Sequence, residues 1–303
     1  MERYGFLLLS SHLGNPQRKP LTTAQLRTLS QRVLAHGPYE APGTLTEKEL
    51  LALGFSKEFA GQVLSLLEER ELLDRYLQKA RARKCVPITR QDPRYPVSVR
   101  GKLGQDSPGC LWAKGDLSLL ECTPKVSLVG CRELKGENRA FAEEAGRQAA
   151  LQGCVLVSGN AVGADQAAQD SCLRFGGAVI SVVPDALHSY LEKPNVLYLS
   201  EEDYDAHFSS QRALRRNRVI HALGDAVLVA QSRAWQGGTW SGTRMNLQHR
   251  WTPVYCYQDG SEGTEALAQL GAERIGKDRL GNLAELLSAP GDLFLIDNLG
   301  GIW

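Results

Sequence analysis

From residue 126 onward, short apolar runs alternate with longer stretches whose apolar positions recur three and four apart. Residues 126–129, 155–157, 178–183, 196–199, 226–230 and 254–257 read as strands. Between them, 138–151 reads as a helix with Phe141, Ala145, Ala149 and Ala150 on a small apolar face; 163–175, 215–223 and 243–249 read as further helices. Strands that are apolar throughout, rather than at every second position, are covered on both faces. Strands separated by helical patterns imply βαβ units. The expected class is α/β, with a doubly wound parallel sheet.

The first 83 residues carry helical signals only. Thr22 or Thr23 caps one helix, and Thr46 with Glu49 makes a capping box ahead of Leu50, Leu51 and Leu53. Gly54 ends that helix. Ser56 opens another, with Phe59, Val63, Leu66, Leu67, Leu72, Leu73 and Tyr76 at helical spacing. Residues 46–67 resemble a small helical hairpin, either a packing module or a contact to a DNA backbone. The basic segment 79–84 leads into a loop-rich connector containing Asp92-Pro93-Arg94-Tyr95-Pro96, where proline argues against helix interior. Residues 111–113 read as a short strand. The last 45 or so residues hold one short helix near 280–287 and an apolar tail to Trp303. The expected division is a helical N-terminal domain (1–83), an α/β domain (84–258) and a C-terminal tail that completes or packs on it (259–303).

Composition narrows the function. A chain of 303 residues with 43% hydrophobic and 23% charged content is an ordinary globular protein. Its net charge of +1 excludes a polycation, so nucleic-acid binding would need a local patch. Seven cysteines with no CxxC pair suggest reduced, packed thiols and no structural metal. The apolar run 6–9 is too short for a signal peptide, and no stretch is long enough to span a membrane. A cytoplasmic protein is expected.

Four constellations carry candidate chemistry. Gly130-Cys131-Arg132 ends a strand: the glycine permits close backbone approach to an anion, and Arg132 could grip a phosphate or pair with Glu133 or Glu137. Ser158-Gly159 through Gly163-Ala164-Asp165 is a second strand-to-helix turn whose hydroxyl and amides suit phosphate. Asp165 there either caps the helix or holds a ribose hydroxyl or base edge. Between Ala206 and Gly224 lie Arg212, Arg215, Arg216 and Arg218 and no acid. Arg212 and Arg216 fall on the same wheel face as Val219, Ile220 and Leu223, so the helix is expected to start near Arg215. Cations crowded at a helix N-terminus oppose its dipole. A polyanion would resolve that conflict, as would pairing with Glu201-Glu202-Asp203; the polyanion is the favoured reading. Finally, Gly238, Thr239 and Trp240 lie in a glycine-rich stretch after a strand, where Trp240 could stack a base or be buried.

These motifs together resemble the DNA-processing protein family DprA/Smf. The resemblance runs from about 86 to 258 and rests on the ordered series Pro87-Ile88-Thr89, Asp92-Pro93-Arg94-Tyr95-Pro96, Leu111-Trp112-Ala113-Lys114-Gly115-Asp116, Val129-Gly130-Cys131-Arg132, Val157-Ser158-Gly159, Gly163-Ala164-Asp165, Gly176-Gly177-Ala178-Val179-Ile180 and Arg216-Asn217-Arg218-Val219-Ile220. It implies an extended Rossmann-like fold that binds single-stranded DNA, protects incoming DNA in natural transformation, loads the RecA recombinase and forms a homodimer. By position, Gly130, Cys131 and Arg132 match a Gly-Ser-Arg motif. Ser158, Gly159, Gly163 and Asp165 match a Ser-Gly…Gly-Ile-Asp motif, and Arg216, Asn217 and Arg218 an Arg-Asn-Arg motif. The roles implied are phosphate and base contacts, without catalysis or cofactor. The chain departs from the family at Cys131, Ala164 and Gln169, and it carries Gly237-Gly238-Thr239-Trp240 where Ser-Gly-Ser-Leu is usual. The segment after the last strand is too short for the winged helix that some members carry.

The reading adopted is a non-enzymatic binder of single-stranded DNA, with arginines on phosphates and Trp240 or Tyr95 under bases. The alternatives are a nucleotide sensor or a nucleotide-processing hydrolase of the same broad fold. No carboxylate lies between Gln231 and Asp259, which removes the acid/base that such hydrolases place there.

Overall fold

The protein is described from a computed structural model over residues 4–36 and 45–288. Nine strands form one sheet in the order β1-β2-β6-β5-β4-β3-β7-β8-β9. They are β1 (Val86–Thr89), β2 (Cys110–Gly115), β3 (Lys125–Val129), β4 (Val155–Ser158), β5 (Ala178–Val182), β6 (Val196–Ser200), β7 (Ala226–Val229), β8 (Val254–Tyr257) and β9 (Glu273–Ile275). From β6 across to β9 every pairing is parallel, whereas β1 with β2 and β2 with β6 are antiparallel. The expected Rossmann-like α/β fold is present.

The period-2 pleat distributes the apolar strands between two cores. Val126 and Leu128 of β3 face a core shared with α7 (Gly136–Leu151) and α8 (Ala164–Arg174). Val129 faces the opposite core, shared with α6 (Val97–Leu103), α9 (Ser210–Leu223), α10 (Gly237–His249) and α11 (Glu262–Gln269). Leu228 and Val229 of β7 divide in the same way. The connector 84–110 is thus more ordered than expected, holding β1 and α6. Pro87 is tolerated because β1 is an edge strand.

In the N-terminal region lie α1 (Gly5–Ser10), α2 (Thr23–Ala35), α3 (Glu47–Ala52), α4 (Lys57–Glu68) and α5 (Arg70–Ala82). Thr22, Thr46 and Ser56 cap α2, α3 and α4, and the box at Thr46 and Glu49 is present. The single helix expected from Ser56 past Tyr76 is instead two. It breaks at Glu69, whose carboxylate takes the Arg18 Nε–H at 2.5 Å. No local breaker marks that point; an ion pair from 51 residues away does. Leu9, Leu29, Leu50, Val63 and Leu66 form a separate small core, while Leu7, Leu73 and Tyr76 join the core under the sheet.

After β8, α11 and β9 were not anticipated; β9 extends the sheet. The short helix expected near 280–287 is a 3-10 turn (Lys277–Asn282) running into α12 (Leu283–Leu287). The apolar tail to Trp303 lies outside the described residues. All seven cysteines are free thiols. Among the described residues no helix is long and apolar enough to cross a membrane.

Candidate nucleic-acid interface

The chain builds outward from β3 in both directions, so the strand order reverses between β3 and β7. In open α/β sheets ligands gather outside the carboxyl ends of the strands at such a reversal. The turn after β3, Gly130-Cys131-Arg132, stands at that point. The Cys131 N–H donates to the Gln231 carbonyl at 3.1 Å, joining it to the segment after β7. The Cys131 carbonyl accepts from the Ala164 N–H at 3.2 Å, joining it to the first turn of α8. Gly163, at φ +98°, is required by this closure: a Cβ there would stand 2.3 Å from the Arg132 carbonyl oxygen. Cys131 is half-buried, and burial pushes its thiol up. Arg132 is exposed and forms no ion pair among the described residues. Neither Glu133, which holds Arg233 at 2.6 Å, nor Glu137, which holds Lys277 at 2.9 Å, takes it.

The second turn is of another kind. Asp165 is buried, and its Oδ2 accepts from the Ala161 N–H at 3.2 Å, so the carboxylate closes its own loop. Burial raises its pKa, against the opposing pull of Arg216. Arg216 is only 5% exposed; it runs under Gly159 and donates to the Val182 carbonyl at 2.6 Å. A Cβ on Gly159 would stand 2.0 Å from the Arg216 Nη1, so only glycine leaves room for the guanidinium. Direct contact of Arg216 and Asp165 with a ligand, as the motif match implied, is corrected: both are internal to the β4–α8 junction. Ser158 is fully buried as well.

Helix α9 begins at Ser210 rather than near Arg215. The Ser209 Oγ accepts the Arg212 N–H at 3.1 Å, which places Arg212 in the first turn. The conflict between arginines and helix dipole is settled inside the protein, by the acids upstream rather than by a polyanion. Arg212 Nε lies 3.3 Å from Glu202, and Arg215 Nε lies 3.6 Å from Glu201. Arg218 pairs with Glu201 and donates to the Asp106 carbonyl. Glu201 is buried; desolvation lifts its pKa and Arg218 pulls it down. Arg215 remains 48% exposed and Arg212 is partly so, although their acid partners Glu201 and Glu202 are largely covered.

The acidic strap formed by residues 201–205 also reaches the N-terminal helices. The Ser11 Oγ donates to Asp203 Oδ2 at 2.7 Å, the Tyr76 hydroxyl donates to Asp205 at 2.7 Å, and the Tyr204 ring packs on Tyr76 and Trp112. Desolvation pushes the Asp203 carboxyl up to about 6.

The glycine-rich stretch after β7 is not a loop. Gly237, Gly238 and Thr239 form the first turn of α10, and Trp240 follows within it. Glycine lowers helix propensity by about 1 kcal/mol, but Gly238 and Gly242 abut Asn217 of α9, where a Cβ would stand 2.9 Å and 3.0 Å from it. The Asn217 Nδ2–H donates to the Gly238 carbonyl at 3.0 Å, so Asn217 is a tie between helices. Trp240 is 4% exposed and belongs to the α9–α10 core, which leaves no ring face for a base. Tyr95 is also buried, its hydroxyl donating to the Pro108 carbonyl at 2.5 Å. Both expected stacking residues are therefore structural. The exposed aromatic here is Trp235, which sequence reading missed because burial within an irregular loop has no period to reveal it.

The model of the family described as DNA recombination-mediator protein A matches residues 86–284. The DNA processing protein DprA of Streptococcus pneumoniae is 31% identical over 201 residues, covering 58% of this chain and 67% of that one. An X-ray structure of DprA from that species superposes with a TM-score of 0.59 at 24% identity, covering 88% of this chain and 98% of the other. DprA of Bacillus subtilis is 26% identical over 142 residues, and the match covers 44% of this chain and 48% of that relative, about half its length. A structure of DNA processing protein A from Helicobacter pylori, described for its single-stranded DNA binding mode, gives a TM-score of 0.57 at 25% identity, covering 67% of this chain and 96% of that one. With the family model spanning most of the chain and the fold agreeing, the protein belongs to the DNA recombination-mediator protein A (DprA/Smf) family.

Proposed function

We propose that this chain binds single-stranded DNA across the carboxyl edge of its sheet and acts as a binding protein rather than an enzyme. The observation that carries the reading is Arg132: an exposed guanidinium without an ion-pair partner among the described residues, at the β3/β7 reversal. Its turn is braced by two neighbouring segments through Gln231 and Ala164. A phosphate contact of that kind gives affinity that falls with salt. The Helicobacter pylori relative, whose described property is single-stranded DNA binding, lends support from within the family. Arg212 and Arg215, partly solvated beside Glu202, flank the edge as secondary cations. No carboxylate lies between Gln231 and Asp259, which disfavours hydrolysis of a bound nucleotide at this edge. The family extends the proposal to protection of incoming DNA, a RecA-type recombinase partner and a homodimer. Free thiols fit a cytoplasmic setting.

The test is binding of a labelled strand of roughly 30 nucleotides, against duplex and free nucleotides, across a salt series. Preference for the single strand with salt-weakened affinity is expected. Tighter binding of a free nucleotide than of the strand would move the function to a nucleotide sensor.

A further inference from the structure

Trp235 presents 68% of its surface to solvent at the carboxyl edge. A lone exposed apolar side chain needs no explanation, but three further facts set this one apart. Its backbone is left-handed, at φ +61°, a conformation that bulky residues rarely adopt and that clusters at functional sites. It sits in a tight turn closed by the Gln236 N–H on the Arg233 carbonyl at 3.3 Å. Its ring meets the buried Trp240 edge-on, centroids 4.7 Å apart and planes at 61°, so one side of the indole rests on the core. An aromatic surface is thus offered to solvent at a cost in backbone strain.

The position matters equally. This turn follows β7 and is tied to the Arg132 turn twice, by the Cys131–Gln231 hydrogen bond and by the Arg233–Glu133 ion pair. No acid lies between Gln231 and Asp259, and the carboxylate that reaches the turn, Glu133, is neutralised by Arg233. A flat apolar surface beside a free guanidinium suits a flat apolar group carried on an anionic chain. We propose that Trp235 stacks an unpaired nucleobase of the bound strand and supplies the preference for single strands over duplex. Bases in a duplex are stacked on one another and offer no free face to an indole, whereas single-strand binders stack bases on aromatic side chains. This inference rests on the proposed single-strand binding and adds the residue that discriminates.

The test compares the full chain with Trp235→Ala, Trp235→Phe and Trp235→Leu on three ligands: a single strand, an abasic strand of equal length, and duplex. Trp235→Ala is expected to bind the single strand about tenfold more weakly. Its affinity for the abasic strand and duplex, and the slope against salt, stay unchanged. Trp235→Phe restores most of the loss and Trp235→Leu does not. Undiminished single-strand affinity in Trp235→Ala, an equal loss on the abasic strand, or rescue by leucine would each overturn the stacking role. So would a changed oligomeric state with intact DNA binding, which would assign the indole to a protein contact. If the unaltered chain binds no single strand, the underlying reading fails and takes this one with it. If the unaltered chain binds and Trp235→Ala binds equally, the stacking alone falls.

Discussion

Arg132 and the arginines of α9 make opposite use of the same side chain. Arg132 stands alone in sequence, yet the fold leaves it exposed with no ion pair among the described residues. Arg212, Arg215, Arg216 and Arg218 crowd into seven positions, and the fold occupies all four: three with Glu201 and Glu202, and one buried beneath Gly159. A cluster of cations therefore says little about free charge until the acids of other elements are placed. What an anion can reach is set by the topology, which brings one turn to the reversal point and lays an acidic strap across the other cluster.

The comparison can be broken at its buried end first. Replacing Arg216 with Ala would leave Asp165 buried without its counter-charge. A loss on the order of 3 kcal/mol in folding free energy is expected by denaturant titration. A variant as stable as the parent would contradict the internal role. Next comes the strap. The pKa of Asp203 rises from 3.8 to about 6 on folding, so the folded state holds its proton more tightly. Its favourable contribution is present below pH 4 or so and is lost as pH rises through about 6. The total is at most about 3 kcal/mol. Asp203→Asn should remove that part of the pH dependence of stability, and coincident pH profiles for variant and parent would exclude it. The smallest effect sharpens the comparison from the α9 side. Glu202→Gln releases Arg212 from its ion pair while Arg215 keeps Glu201, so single-strand affinity should rise about threefold with a steeper salt dependence. Unchanged affinity and slope would mean that Arg212 is not within reach of the strand.

Much of the fold was legible because parallel strands covered on both faces are continuous apolar runs, as at 126–129 and 226–230. Legibility failed where a distant partner decides. The break at Glu69 coincides with the ion pair to Arg18, and the glycines of α10 lie against Asn217 of α9; neither partner is near in sequence. Edge strand β9 has a single buried residue, Ile275, too weak a pattern to read. The site divides along the same line. The glycine turns were readable because tight turns need glycine locally, as Gly163 does. The fate of each side chain was not: Trp240 and Trp235 are five positions apart in one segment, and packing against α9 alone decides which is buried.

The central claim is that Arg132, rather than the α9 cluster, is the principal phosphate contact. It is tested most directly by measuring single-strand affinity against salt for the parent and Arg132→Ala, with melting followed in parallel. The account predicts a binding loss of about tenfold and a salt slope smaller by about one phosphate's worth, with melting unchanged. Equal affinity and slope in the two proteins would contradict it.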